Sequence, residues 1–568
     1  MTAFGIDFGT TNSAVAVLSG SDVEVIRIDT PPIEWEQFGH DRVFPSVFGY
    51  GANREPLFGW AAKLAETETK IEAVKRLFAT EDQVTIGDEQ FLVDEVATML
   101  FAQIKRSAAA ESGHELNRAV VTIPANSRGL ARQRTKVCAG MAGIEVLALM
   151  NEPTAAAMAA TRRDREDQTV MVVDWGGGTL DVTVLEAVEG TFIEQTSSGI
   201  QRCGGRDFDA AIMRWLAEST PGSEGWSQLQ RQMLRLDVEK AKILLSSQDE
   251  ANIPLPDGDV RRLSRSEFDQ ITEDLVNQVR IPFERCIRDV AAKGGMKVDS
   301  LILAGGTCKV PSVRMLVENL IDLAPVSGLD PLTVIAEGAA VAAGIMQGDL
   351  PDYDFFVSTE HALGTQILTP TGTLEFSVII PRGNKLPAKG TETYVPVNDD
   401  QEQLEFEVIE GNPDEPINHV DNVVLAQRVI QIPNPGPAEG ISFAVTFKYD
   451  LDGIVHYDLV DERDGASLHS GEIALGVQRD KRKMVDIAKR VETSLNEGVV
   501  QQSAVVSDLS PEVATAVLNA RTQVAPFVDD DEAAEIMKLC DQIESTGGAD
   551  TNVIGRLMEI NQKYNYLF

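Results

Sequence analysis

Two kinds of hydrophobic pattern alternate along residues 1 to about 350: short apolar runs typical of strands, and segments with helical period. The segment 118–125 (RAVVTIPA) predicts a strand, and residues from about 129 to 143 predict a long helix. Residues 299–320 predict a buried strand, a Gly-Gly turn and a helix. Residues 330–349 predict a helix of small residues that packs closely against other backbone. This succession of strands and helices is typical of an α/β domain.

The pattern changes after residue 350. Residues 351–363 have the composition of a linker, and residues 364–476 alternate apolar and polar positions as strands do, with little helical period. Asp452-Gly453 lies between two alternating runs and predicts a hairpin turn, whereas residues 433–437 (PNPGP) predict a loop. Residues 477–568 return to helical period. We therefore expect an α/β domain (1–350), a linker, a β domain and a helical domain.

One type of loop occurs twice in the α/β part. The first copy, GIDFGTTNS, begins at Gly5, and the second, VDWGGGTLD, begins at Val173. Each has an apolar strand that ends at an Asp, then glycines and hydroxyl side chains, and then a second strand. Such a turn can bring several backbone N–H groups to a phosphate chain, and its Asp can face a hydrated divalent metal. Two copies suit a nucleoside triphosphate that is held from both sides.

Charge and cysteine content narrow the function. The 568 residues have a formal net charge of −38, which repels phosphate backbones, so we expect no nucleic-acid partner. The five cysteines are scattered without a CxxC or a Cys/His cluster, which argues against zinc and a disulfide framework and suits a reducing compartment. No basic segment followed by an apolar run opens the chain, and no apolar stretch approaches the roughly 20 residues that span a bilayer. A cytoplasmic protein without a membrane partner is expected.

Seven collinear motifs resemble the 70-kilodalton heat-shock protein family of molecular chaperones, a branch of the actin-like ATPase superfold. They are GIDFGTTNSAVAV, VVTIPA, NEPTAAAMA, VVDWGGGTLDVTVLE, CGGRDFD, VEKAKILLSS and LILAGGTCKVPSVRML, between residue 5 and about residue 350. A weaker match continues through the β segment. The resemblance implies an actin-like ATPase domain of two duplicated lobes, a β-sandwich that binds substrate, and a short α-helical lid. The chain is similar to divergent, bacterial members.

The resemblance also implies a site for ATP or ADP with Mg2+. Asp7 and Asp174 correspond to the carboxylates that hold Mg2+ through water. The implied catalytic residues are Lys75, Glu152, Asp181 and Thr179. The implied nucleotide contacts are Gly9, Thr10, Thr11, Asn12, Gly176, Gly177, Gly178, Gly205, Glu239, Lys242, Ser246, Gly305 and Gly306. Pro124 with Arg132 resembles the pair that relays nucleotide state, although a strand-ending proline and a solvated arginine are the alternative.

In the β segment, the resemblance implies a cleft for unfolded or extended peptide segments, or for a dedicated client protein. The implied cleft residues are Thr365, Ile367, Leu368, Tyr394, Val397, Leu404 and Phe406. Alternate apolar residues in a strand can equally be core residues that do not line a cleft. Leu404 and Phe406 are large for a roomy pocket, which predicts a narrower cleft.

Several positions depart from the family pattern. Leu332 stands where the family has an Asp, which affects nucleotide affinity, and Ile243 is a milder change. Ala148 stands where family members have an arginine that contacts J-domain co-chaperones. A J-domain protein and a nucleotide exchange factor are therefore partners that the resemblance implies but that this sequence leaves open. The linker residues 353–357 (YDFFV) contain an acid inside an apolar run.

Three other functions fit part of the sequence. A sugar kinase or a filament-forming ATPase shares the superfold, but neither uses residues 364–568. A weakly hydrolysing binding or exchange-factor relative with a dedicated partner is closer. Leu332 and the altered linker favour it, whereas the five retained site residues Asp7, Lys75, Glu152, Asp174 and Asp181 disfavour it. We therefore expect a chaperone-type ATPase that hydrolyses ATP to ADP and phosphate.

Overall fold

The computed structural model describes most of residues 2–474 and part of the C-terminal region. Within 2–474 it leaves out 52–53, 68, 79, 88, 126, 128, 162–166, 189–190, 293–296, 351–358, 360, 383, 386, 414, 420–421 and 450–453. Beyond 474 it describes 487, 490–491, 513, 516, 520, 535–536, 538–540, 542–543 and 551–563. The linker residues 353–357, the turn at Asp452-Gly453 and most of the predicted lid lie outside these residues.

The described chain is a mixed α/β structure with several sheets, as the sequence predicts. Its strands are β1 (Thr2–Asp7), β2 (Asn12–Ser19), β3 (Asp22–Ile26), β4 (Phe44–Pro45), β5 (Val47–Tyr50), β6 (Pro56–Phe58), β7 (Lys70–Glu72), β8 (Gln83–Ile86), β9 (Glu89–Leu92), β10 (Arg118–Ile123), β11 (Glu145–Asn151), β12 (Gln168–Trp175), β13 (Thr179–Val188), β14 (Thr191–Gln201), β15 (Glu250–Pro254), β16 (Val260–Ser264), β17 (Ser300–Ala304), β18 (Ala362–Leu368), β19 (Leu374–Ile380), β20 (Ala388–Tyr394), β21 (Gln403–Gly411), β22 (Val423–Gln431), β23 (Phe443–Tyr449), β24 (Ile454–Asp461) and β25 (Ala466–Ala474). Its α-helices are α1 (Ile33–Glu36), α2 (Gly59–Leu64), α3 (Val93–Ser112), α4 (Gly129–Met141), α5 (Glu152–Thr161), α6 (Gly205–Ser219), α7 (Gln228–Leu244), α8 (Arg265–Asn277), α9 (Arg280–Ala292), α10 (Pro311–Ile321), α11 (Val334–Gln347) and α12 (Thr551–Lys563). Short 3-10 helices lie at Val74–Leu77, Ser223–Gly225, Gly306–Lys309 and Ala438–Gly440.

Two sheets in the first 350 residues have related topologies. In the first, the antiparallel hairpin β1–β2 continues to β3, and β10 and β11 join β1 in parallel. In the second, the antiparallel hairpin β12–β13 continues to β14, and β17 joins β12 in parallel. We call residues 2–161 the first half and residues 168–321 the second half. Each half repeats a hairpin whose first strand is also paired with a parallel strand.

The two halves share an apolar layer of small side chains. Each half has its own core, and a third core, rich in alanine, joins both sheets through α5 and α11. A Cβ atom at Gly338 of α11 would overlap the carbonyl of Ala155 in α5, and one at Gly5 of β1 would overlap the backbone of Ala340 in α11. This confirms the predicted helix of small residues, because only glycine permits such close backbone contact. The helix thus fixes β1 and α5 relative to each other.

The strands β18–β25 form two four-stranded antiparallel sheets, β19-β18-β21-β22 and β20-β23-β24-β25, around one core. The predicted hairpin is present, since β23 and β24 pair from Tyr449 opposite Val455. This β unit contacts the second half through ion pairs of Arg382 with Glu194 and of Arg285 with Glu415.

Part of the C-terminal region packs on the first half. Ile487 and Val491 belong to the core of the first half, and Arg490 forms an ion pair of 3.2 Å with Glu95 of α3. Five further buried C-terminal residues form a small separate cluster: Ala520, Ile536, Cys540, Ile543 and Leu557. No helix among the described residues is long and apolar enough to cross a membrane.

Candidate functional site

The two repeated loops connect the strands of the two hairpins and face each other. A Cβ atom at Gly177 would overlap the Thr11 hydroxyl, and one at Gly178 would lie 3.1 Å from Cγ2 of Thr10. Glycine is therefore required in the second loop for contact with the first. The Thr11 hydroxyl and the Asn12 side-chain oxygen are buried and make no hydrogen bond within the described structure. A hydroxyl in that position can donate to a phosphate oxygen.

Four carboxylates and one ammonium group meet behind these loops. Asp7 ends β1, Asp174 pairs with Asp181 across the second hairpin, and Glu152 begins α5. The Lys75 ammonium lies 2.7 Å from Oε1 of Glu152, and its side chain is only 9% exposed. Lys75 is therefore part of the interior site and is not an exposed helix lysine.

The electrostatics of this group favour a cation. Burial, followed by the charge of Glu152, raises the pKa of Asp7 to about 7, although Lys75 acts in the opposite direction. Burial and then Glu152, Asp181 and Asp7 raise the pKa of Asp174 well above its ordinary value. One ammonium group does not balance four clustered carboxylates, three of which are buried, so a divalent cation fits the site. No three metal-ligating side chains in the described part of the chain are close enough to hold an ion directly, which is compatible with ligation through water.

A cavity of about 610 Å³ opens beside the loops, between the two halves. The predicted residues that line it are Thr11, Asn12, Gly177, Gly205, Glu239, Lys242, Ser246 and Gly306. The remaining predicted nucleotide and catalytic residues are not part of its wall: Asp7, Gly9, Thr10, Lys75, Glu152, Asp174, Gly176, Gly178, Thr179, Asp181 and Gly305. Thr11 and Gly177 both line the cavity, so it extends to the point where the two loops meet.

Helix α7 supplies the charged wall of the cavity. Lys242 donates to the Gly205 carbonyl at 2.9 Å and lies 2.7 Å from the carboxylate of Asp209. Glu239 lies 2.8 Å from the Lys63 ammonium of the first half. Burial opposes ionisation of Glu239, but Lys63 and Lys242 outweigh it and lower the pKa of that carboxyl. The helical pattern predicts Ser246 on the helix, whereas it lies just beyond the end of α7, in a turn.

The turn at Gly305 and Gly306 brings backbone to the cavity. Gly305 has a φ of +79°, and a Cβ atom there would lie 2.4 Å from the Trp175 carbonyl carbon. Leu332 lines the cavity next to Gly306, and both Leu332 and Ile243 pack against the cluster that contains the buried Trp35. The two departures from the family pattern thus both add apolar surface to the cavity wall.

Several cavity residues do not follow from the motifs. Arg76 donates to the Gly178 carbonyl at 2.6 Å and so ties the first half to the second loop. Lys63 and Asp209 are buried partners of Glu239 and Lys242. The signal for Arg76 was its position directly after Lys75, whereas Lys63 has no comparable signal because its partner is 176 residues away.

The positions predicted to relay nucleotide state, Pro124 and Arg132, and the position predicted to meet a co-chaperone, Ala148, are half-buried or buried. Arg132 is only 8% exposed, so the alternative of a solvated arginine is wrong. Pro124 follows the end of β10 and is half-buried. Ala148, in β11, is 4% exposed and belongs to the core that joins the halves.

The predicted cleft residues of the β unit divide into three groups. Leu368 and Val397 are exposed, at 44% and 56%. Ile367, Tyr394 and Leu404 are half-buried, and Thr365 is 5% exposed.

Phe406 needs a correction. It is 3% exposed and packs against Phe447 and Tyr457, with ring centroids 6.4 and 5.4 Å away, because it points to the inward face of β21. It is a core residue in this conformation and does not border an open cleft.

His40, in the cavity wall, makes the stability of the folded protein depend on pH. Burial, then the neighbouring charges of Lys63 and Lys309, lowers the pKa of His40 to about 4, although Glu239 acts in the opposite direction. The unfolded chain therefore binds a proton between about pH 6.5 and pH 4 that the folded chain does not, and stability falls as the pH falls through this range. Between pH 7.5 and pH 5.0 this group contributes a loss of about 2 kcal/mol.

We expect His40→Gln to reduce the drop in melting temperature between pH 7.5 and pH 5.0, because glutamine does not titrate. Thermal unfolding of both proteins at the two pH values measures this. His114→Gln, at an exposed loop position, is the control and should leave the drop unchanged. An equal drop in the wild type and His40→Gln would contradict the assignment.

Comparison with known proteins adds a family to this geometry. The sequence profile of the family described as "Hsp70 protein" matches residues 3–83 and 79–566. The chain is 35% identical over 514 residues to a protein named "Chaperone protein DnaK" from Thermosipho africanus (strain TCF52B), across 86% of this chain and 83% of that protein. It is 34% identical, with the same coverage, to the protein of the same name from Thermosipho melanesiensis (strain DSM 12029 / CIP 104789 / BI429).

Proposed function

Because the chain belongs to the Hsp70 family, as a divergent bacterial member, we propose that its two facing loops hold ATP or ADP with Mg2+ between the halves. Members of this family are ATPases, and the chain is an ATP-dependent chaperone. The observation that most supports this site is the meeting of Asp7, Glu152, Asp174 and Asp181 with Lys75 behind two glycine loops. The alternative of a weakly hydrolysing exchange-factor relative is not favoured, since none of these groups is replaced.

We assign roles within this site by chemistry. Asp7 and Asp174 would hold the water shell of Mg2+, which supplies charge neutralisation on the phosphate oxygens. Glu152 and Asp181 would orient or deprotonate the attacking water, and Lys75 would reach the γ-phosphate. Thr179 would lie at the same end. Phosphoryl transfer depends mainly on positioning and charge neutralisation, and the interior cluster can supply both.

The nucleotide contacts divide between the two loops and the cavity. Gly9, Thr10, Thr11, Asn12 and Gly176 to Gly178 would surround the phosphates. Gly205, Glu239, Lys242, Ser246, Gly305 and Gly306 would hold the nucleoside end. Leu332 and Ile243 replace polar contact with apolar packing against the base.

We propose further that residues 1–350 are an actin-like ATPase domain of two lobes, residues 364–476 a peptide-binding β-sandwich after the linker 351–363, and residues 477–568 a lid. Extended apolar peptides or a dedicated client are the proposed substrates, and a J-domain protein and an exchange factor are the proposed partners. The exposed Leu368 and Val397, the half-buried Ile367, Tyr394 and Leu404, and the buried Thr365 remain our proposed cleft residues. The cytoplasm is the proposed compartment, since all five cysteines carry buried thiols.

A short polar chain links the β unit to the proposed catalytic residues. Arg382 of the β unit pairs with Glu194 in β14. The same carboxylate accepts a hydrogen bond of 3.3 Å from Asn151, the neighbour of Glu152. A shift of the β unit would thus act on the start of α5, which supports coupling between peptide binding and hydrolysis.

We expect extended apolar peptides to accelerate single-turnover ATP hydrolysis by the wild type. Arg382→Ala should retain the rate without peptide and lose most of the acceleration, because it breaks the pair with Glu194. Arg428→Ala, at an exposed position of β22, is the matched control and should be stimulated like the wild type. Hydrolysis that no peptide accelerates would contradict the coupling and favour a dedicated docking partner. A protein that does not hydrolyse ATP at all would contradict the site itself.

A further inference from the structure

A short segment between β3 and β4 forms an additional wall beside the cavity. We call residues 29–42 the tryptophan segment. Its Trp35 is fully buried, packs on the Trp60 ring at 5.0 Å, and lies with its own ring 4.6 Å from the Lys63 ammonium. Asp29 anchors the segment by accepting from the Trp60 backbone N–H at 2.8 Å. These contacts hold the segment firmly against the first half.

The tryptophan segment also reaches across the cleft to α7 of the second half. Glu34 forms an ion pair of 3.0 Å with Lys240. Lys63, which lies under the ring of Trp35, forms the buried pair with Glu239 one position earlier on the same helix. The segment therefore connects both halves at the side of the cavity where α7 lies.

Three side chains of the segment line the cavity itself: Gln37, Phe38 and His40. Phe38 is half-buried and Gln37 is exposed, so both retain surface for a ligand. His40 is neutral at neutral pH because its pKa is lowered to about 4, so it adds no charge near a base. A half-exposed aromatic ring in a cavity that Ile243 and Leu332 also line suits a flat, apolar ligand face such as a purine.

We propose that Gln37, Phe38 and His40 contact the nucleoside of the bound nucleotide, and that the tryptophan segment slows nucleotide release by connecting the halves over it. The inference rests on the proposed nucleotide site and adds binding residues from the first half to that site. Release then requires the segment to part from α7. In the Glu34–Lys240 pair the carboxylate is exposed and the ammonium partly buried, so the pair makes a small contribution, whereas Phe38 makes the larger one.

The test is the dissociation of radiolabelled ADP, chased with excess unlabelled ADP, from the full chain. Phe38→Ala should release ADP about tenfold faster than the wild type, the ratio that follows from losing one aromatic contact. Glu34→Lys should release it about threefold faster, since it places like charges together. Ile33→Ala is the control, because Ile33 is on helix α1 with Glu34 and is 73% exposed. Its release rate should equal that of the wild type.

The outcomes separate this inference from the nucleotide site on which it rests. Wild-type release rates in both Phe38→Ala and Glu34→Lys would overturn the inference alone. A wild type that binds no ADP would overturn the nucleotide site and the inference with it. Glu34 is exposed, so its substitution does not disturb the core and remains informative if Phe38→Ala does not fold.

Discussion

Asp174→Asn and Lys75→Ala are each expected to lower the single-turnover rate of ATP hydrolysis by at least about 100-fold, which is typical for removal of one preorganised charged group at a reacting centre. Asp174 is one of two carboxylates that the second half supplies, with Asp181, and Lys75 is the only cation that an ion pair places in the cluster among the described residues. Loss of either changes the charge balance where the phosphates would react. Quenched-flow measurement of phosphate release from bound ATP tests both variants.

The Asp174→Asn substitution should not lower the stability of the fold. Burial, and then three neighbouring carboxylates, raise the pKa of Asp174, so the neutral amide removes both a desolvation cost and repulsion. Asp174→Asn should therefore melt at the wild-type temperature or above it in the absence of nucleotide. Asp22→Asn, at the exposed start of β3, is the control and should hydrolyse ATP normally. Hydrolysis at wild-type rates by both Asp174→Asn and Lys75→Ala would remove our assignment of the catalytic cluster.

Gly338→Ala is expected to destabilise the first 350 residues by about 3 kcal/mol, the upper part of the range for overpacked cores. The added methyl group overlaps the Ala155 carbonyl, which is backbone and cannot rotate away. Helix α5 must therefore move away from α11. Because α5 begins at Glu152, the displacement should also lower the rate of ATP hydrolysis at temperatures where the variant is still folded.

Thermal unfolding and single-turnover hydrolysis together measure the effect. Gly140→Ala is the matched control, since Gly140 is also in a helix but its Cβ would have no neighbour within 4 Å. That substitution should be neutral or slightly stabilising. A Gly338→Ala protein with the wild-type melting temperature would show that the two helices can separate at little cost.

The sequence was sufficient for the parts of the site that short motifs define. Asp7, Asp174 and Asp181 are fixed by the strand before or after a glycine turn, so their positions follow from local pattern. The close approach of α11 followed from its small residues. Local rules of this type depend on neighbours in the chain and need no knowledge of the tertiary structure.

The sequence was insufficient where a contact joins distant segments. The pairing of Lys63 with Glu239 depends on how the halves face each other. The contact of the Lys63 ammonium with the Trp35 ring joins segments of the first half that are far apart in the chain, and no local pattern contains either contact. Phe406 shows the same limit. The alternation in β21 identifies one face of the strand, but it does not tell which positions of that face meet the core, and Phe406 lies in the core.

The division of the carboxylates between the two halves has a consequence for timing. Asp7 comes from one half and Asp174 from the other. In the site that we propose, opening the cleft to exchange nucleotide would therefore separate the groups that carry out hydrolysis, and exchange and hydrolysis would exclude each other in a single molecule. A protein that holds the halves apart would then slow ATP hydrolysis while it speeds the exchange of ADP for ATP. A protein that holds the halves together would speed hydrolysis and slow exchange.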